Sequence, residues 1–88
     1  MSILVMDDYE LEFERDDIGG RSLAVRRDGE EVNFWEGDLP QDNFRDFNRD
    51  IVAWVEGVTN IPLPIGSERR MHVLSEIKYP SQNLPRVI

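Results

Sequence analysis

The chain has no cysteine and a single histidine. The first absence excludes disulfide scaffolds, thiolate zinc sites and cysteine nucleophiles, and nothing in the composition points to an oxidising compartment. The second leaves few routes to catalysis. His72 is the only imidazole, and Ser2, Ser22, Ser67, Ser75 and Ser81 all lie outside a nucleophile-elbow context, so no triad can be assembled. No catalytic residue, and no enzymatic activity, is expected. Phosphate-cradling loops are missing too, because Gly19-Gly20 has neither a following lysine nor a helix opening behind it. No cofactor is therefore expected. Long apolar runs are also lacking, and none approaches the ~18 residues needed to cross a bilayer. The start, Met1 to Asp8, holds a short apolar run without a basic n-region or a small-residue cleavage site. The expectation is a soluble, cytoplasmic protein with no membrane partner.

What is present is negative charge. Of 88 residues, 18 are Asp or Glu and 10 are Lys or Arg, a formal net charge of −8. That balance argues against direct binding of nucleic acid or anionic membrane and in favour of a basic partner. The charge is localised: residues 1 to 50 hold 15 acids and 6 bases, residues 51 to 88 hold 3 acids and 4 bases. A hydrophobic fraction of 40 % is enough for a folded core, and the length allows one domain.

Tyr9 to Arg15 alternates strictly, with Tyr9, Leu11 and Phe13 on one face and Glu10, Glu12 and Glu14 on the other. Period two predicts a half-buried strand. Asp16-Asp17-Ile18-Gly19-Gly20 supplies a turn, after which Leu23 and Val25 share a face in a second strand. Asp28-Gly29 between alternating runs predicts a two-residue type I′ hairpin. That loop pairs Arg27 with Glu30, Arg26 with Glu31, Val25 with Val32 and Leu23 with Phe34, so the apolar partners fall together.

Beyond Glu36-Gly37-Asp38 the period changes. Phe44, Phe47, Ile51, Trp54, Val55 and Val58 form one face of an amphipathic helix, placed at about residues 40 to 57. Pro40 suits its first turn, Asp38 or Asp42 can cap it, and Gly57, Asn60 and Pro62 mark its exit. Thr59 to Arg70 reads as an irregular connection with a short extended piece at Ile61 to Ile65. Met71 to Tyr79 reads as a further strand in which Val73, Ile77 and Tyr79 share a face and Leu74 sits opposite. The fold class expected is α+β: an antiparallel sheet of three to four strands in β-β-β-α-β order, with one amphipathic helix packed on one face. The domain spans residues 1 to 79, and 80 to 88 form an extended tail, ordered only if something holds it. So small a core would gain from homodimerisation.

The acidic residues divide into turns and a row. Asp7-Asp8 and Asp16-Asp17 could bind a divalent cation if the first hairpin brought them together, but no spaced Asp-x-Asp-x-Asp-Gly loop is present and solvated turns are the simpler reading, so no metal site is expected. The row Asp8, Glu10, Glu12, Glu14 and Asp16 lies on one strand face at a spacing of ~6.8 Å, half the charge density of a DNA strand. If Phe13 pairs with Leu23, the face opposite the helix presents Glu10, Glu12 and Glu14 beside Arg26, Glu31, Asn33 and an exposed Trp35. An aromatic anchor in an acidic rim suits a basic protein partner. The competing interpretation is a solvated face on which Arg26 neutralises Glu10 and Glu31, with Trp35 covered by the N-terminal segment or the tail.

The expected function is a small acidic inhibitor that blocks a basic nucleic-acid-binding protein by mimicking DNA. Its partner-binding residues would be Asp7, Asp8, Glu10, Glu12, Glu14, Asp16, Asp17, Glu31 and Trp35. Phage anti-defence proteins of the anti-CRISPR or anti-restriction kind use this physics, as do immunity proteins that neutralise nuclease toxins. A different class of function is a structural module that assembles through sheet edges and the C-terminal tail.

Overall fold

A computed structural model describes residues 1 to 81 and 84 to 88. The described residues form an α+β fold of five strands and two helices: β1 (Ser2–Met6), β2 (Tyr9–Arg15), β3 (Gly20–Arg27), β4 (Glu30–Asp38), α1 (Phe44–Thr59), α2 (Glu68–Lys78) and β5 (Arg86–Val87). The strands make one sheet in the order β4-β3-β2-β1-β5. Neighbouring pairs are antiparallel except β1 with β5, which is parallel, so the sheet is mixed. None of the described helices is long and apolar enough to cross a membrane.

The alternation of β2 does what period two dictates. Leu11 and Phe13 are fully buried, while Glu10 and Glu14 on the other side are exposed. The first strand, β1, precedes the expected meander: Leu4 pairs with Leu11 and Met6 with Tyr9 around the Asp7-Asp8 turn, where Asp7 has φ 54°. Its run Ile3-Leu4-Val5-Met6 is apolar on both sides and so carries no alternation by which to recognise it. Phe13 does pair with Leu23. The Asp28-Gly29 hairpin is also present, with φ of 53° and 80° at its two central residues, as a type I′ turn requires.

Beyond that turn the register departs from expectation. Arg27 pairs with Glu30 and Arg26 with Glu31, but a bulge then shifts the ladder, so Val25 faces Asn33, Ala24 faces Phe34 and Leu23 faces Trp35. Val32 is the extra residue. The shift puts Phe34 on the outer face and Trp35 on the core side, and leaves Val32 half exposed.

The second correction concerns Met71 to Tyr79, which lies in α2 and the residue that caps it rather than in a strand. Ser67 accepts a hydrogen bond from the Arg70 N–H at 3.2 Å, an N-cap that starts the helix. Val73, Leu74 and Ile77 then follow at helical spacing, which explains the broken alternation. The first helix begins four residues later than expected. Its N-cap is Asn43 in a left-handed conformation, without a side-chain cap bond, and Asp38 belongs to β4. At the other end Asn60, at φ 57°, closes the helix by donating its N–H to the Glu56 carbonyl.

Both helices cover one face of the sheet. Ile51, Val52 and Val55 of α1 and Val73 and Ile77 of α2 share a core with Leu4, Met6, Leu11, Phe13, Leu23 and Val25. The C-terminal end of the tail is held. Val5 pairs with Val87, the Ile88 N–H donates to the Val5 carbonyl at 2.9 Å, and the Arg69 guanidinium donates to the Ile88 carbonyl. Gln82 and Asn83 of the expected tail lie outside the described residues.

Candidate binding face

Because both helices pack on one side, the other side of the sheet is left open, and the pairings across β2, β3 and β4 define what it shows. Three rows run across it: Glu10-Arg26-Glu31, Glu12-Ala24-Phe34 and Glu14-Ser22-Glu36. Gly20 and Asp38 continue beyond the last row. In the first row the middle position is a cation, whose Nε lies 3.2 Å from Glu12 in the neighbouring row. Among the described residues this is the one ion pair on the face. The competing interpretation of a solvated face has Arg26 neutralise Glu10 and Glu31, whereas its bond goes to Glu12.

Small residues on β3 make the middle of the face a trough. A depression of about 220 Å³ is floored by Ser22 and Ala24 and walled by Glu12, Glu14 and Phe34. A second, of about 400 Å³, shares Glu14 and Ser22 with it and runs past Glu36 to Gly20 and Asp38, where Arg15 and Arg21 also line it. Phe34 keeps 48 % of its surface exposed. The Asn33 side chain takes up the Phe34 N–H at 2.9 Å. At the opposite margin of the face, Ile3 and Val5 of β1 pair with Glu12 and Glu10.

The expected site residues separate into three groups. Glu10, Glu12, Glu14 and Glu31 lie together on the open face. Asp8 and Asp17 are exposed in turns at opposite ends of β2, whose seven residues span ~23 Å, so the two acidic pairs do not form one cation site. Among the described residues no group of three or more His, Asp or Glu could hold a metal ion.

The remaining three are engaged elsewhere. Asp7 accepts a 2.8 Å bond from Arg69. Asp16 turns onto its own loop, where hydrogen bonds from the Ile18 and Gly20 N–H groups hold its carboxyl below the usual range. A Cβ at Gly20 would collide with that carboxylate. Trp35, expected as the exposed anchor, packs on the helical side instead, edge to face with Phe47 at a centroid distance of 6.0 Å. A Cβ at Gly37 would come within 2.8 Å of the Trp35 ring, so the absent side chain makes room for the indole.

Two residues of the face escaped the sequence reading. Glu36 adjoins Gly37, beyond which the alternation stops, and pairing Phe34 with Leu23 across a regular hairpin puts Phe34 on the core face and its neighbour Trp35 on the other. Which of them turns outward depends on the bulge. Comparison with protein-family models, with curated proteins and with solved structures finds no match.

Proposed function

We propose that this chain is a non-enzymatic binding protein that uses the open face of its sheet to occupy a basic, nucleic-acid-binding surface of a larger protein. The supporting observation is that Glu10, Glu14, Glu31 and Glu36 sit on an uncovered face around an exposed aromatic, with one internal cation among them. Long-range attraction from a −8 chain speeds encounter with a basic target. Phe34 supplies apolar contact once the surfaces meet, the role the sequence had suggested for Trp35. A phage anti-defence protein and a nuclease immunity protein both fit this chemistry, and either would act in the cytoplasm.

Assembly through sheet edges is the weaker reading. Antiparallel self-pairing of β4 about Phe34 would set Glu30 of one copy against Asp38 of the other, and the tail already pairs with its own β1.

The test is affinity capture at low and high ionic strength, using the chain and the triple variant Glu10→Lys, Glu12→Lys, Glu14→Lys. A mobility-shift assay then asks whether the captured protein still binds DNA. Capture should fail at high salt and with the variant, and the chain should displace DNA. Intact capture by the triple variant, or DNA binding undisturbed by saturating chain, would rule the proposal out.

A further inference from the structure

The first and third rows of the open face have the same outer members and differ in the middle. Glu10 and Glu31 flank Arg26, whereas Glu14 and Glu36 flank Ser22. With strands ~4.8 Å apart, each pair of glutamate backbones is separated by about 10 Å, a span two glutamate side chains can close on a single cation between them. In the first row the chain places a cation of its own, Arg26, at the middle position, with its 3.2 Å bond going to Glu12 of the next row. In the other, a serine leaves a space, and both depressions of the face meet there.

We infer that Ser22 marks the seat of one arginine side chain from the basic partner, clamped between Glu14 and Glu36. The inference rests on the proposed binding function and identifies the contact at its centre. Arginine suits the space better than lysine for two reasons. Its planar fork can bond two carboxylates at once, whereas an ammonium is a point charge. Phe34, diagonal to Ser22 across the β3–β4 pair, stands within reach of a guanidinium plane, and arginine stacks on aromatic faces. Arg26 shows that a guanidinium fits this surface, since it lies along the same trough bonded to Glu12. A second copy of the chain does not fit, because it would bring a net charge of −8 to an acidic face.

The probes are two synthetic peptides of equal charge, a (Gly-Arg)₃ amide and a (Gly-Lys)₃ amide, titrated at low salt into the isotope-labelled chain and followed by NMR. The arginine peptide should bind about two- to fivefold more tightly, the range expected of an exposed cation–π contact. Its shifts should centre on Ser22, Ala24, Phe34 and Glu36. Phe34→Ala should erase the preference while leaving salt-sensitive binding of both peptides. Ser22→Arg should fill the seat from within and abolish the preference in a chain that still folds. Equal affinities, or shifts centred elsewhere, overturn the arginine seat and leave the acidic-face function standing. If neither peptide binds at low salt, the function falls with it.

Discussion

Two charged side chains are buried among the described residues, Arg21 and Glu76, each 7 % exposed, and both fasten α2. Arg21 points to the helical side from β3 and donates its Nε and Nη2 to the Lys78 carbonyl at 3.2 and 2.9 Å, and its Nη1 to the Gly20 carbonyl at 3.1 Å. A guanidinium at the carbonyl end of a helix satisfies orphan acceptors and opposes the helix dipole. Arg21→Ala should therefore cost about 1.5–3 kcal/mol in urea denaturation, the range for lost hydrogen bonds to a charged group. Arg21→Lys should recover little of that, because an ammonium cannot reproduce the fork. Glu76 works from the other side of α2. Burial disfavours its charged form, but the buried Ser2 hydroxyl beside it, hydrogen bonds from the Ser81 N–H and hydroxyl, and the charge of Arg86 outweigh burial and hold its carboxyl below the usual range. The Ser2 hydroxyl contributes by proximity, since its geometry falls short of a formed hydrogen bond. A carboxyl whose folded pKa is depressed adds stability above its unfolded pKa and loses it as pH falls through the folded value. Acidification below about pH 4, the ordinary glutamate range, should thus weaken amide-exchange protection at the Ser81 N–H, which donates to this carboxylate. Glu76→Gln should flatten that pH dependence.

At the scale of elements, legibility in the sequence depended on whether a pattern admitted one frame or two. The strand β2 alternates without exception and the Asp28-Gly29 turn has a single favoured geometry, so both were readable, as was the apolar stripe of α1. The second helix was misread because Val73, Ile77 and Tyr79 satisfy period two while Val73, Leu74 and Ile77 satisfy period 3.6. Ser67 decides between them by capping, and Ser67→Ala should cost about 1 kcal/mol in chemical denaturation. The open face was half legible for a related reason. Its glutamates on β2 follow from alternation alone, but the contribution of β4 depends on one bulged residue. Deleting Val32 tests that account. The pairs Arg26–Glu31 and Val25–Asn33 already match on either side of it, so the deletion should leave a regular ladder with Trp35 still on the helical side. With Trp54→Phe as background, Trp35 fluorescence should stay at the same wavelength. A change of wavelength would mean that residues 33 to 38 lose their register without Val32, and that Val32 is not simply an extra residue in the ladder.

For the molecule as a whole, the folded arrangement sharpens the asymmetry of charge seen along the chain. The basic groups of the C-terminal part are engaged internally: Arg69 with Asp7 and Ile88, Arg70 with the Leu63 carbonyl, and Lys78 over the Phe44 ring at 4.8 Å. The open face, by contrast, gathers glutamates with one cation among them, and like charges held together disfavour the folded state. Salt should then act on stability and on binding in opposite directions. Screening relieves repulsion within the free chain, so its thermal midpoint should rise between 20 mM and 500 mM NaCl, while affinity for a basic partner should fall over the same range. The paired change Glu14→Gln, Glu36→Gln should reproduce both effects at fixed low salt, raising the midpoint and weakening capture, because it removes the repulsion and the clamp together. A merely solvated face would give the rise in stability with no binding to lose. Measuring both quantities on one variant therefore separates a surface maintained for solubility from one maintained, at a cost in stability, for a partner.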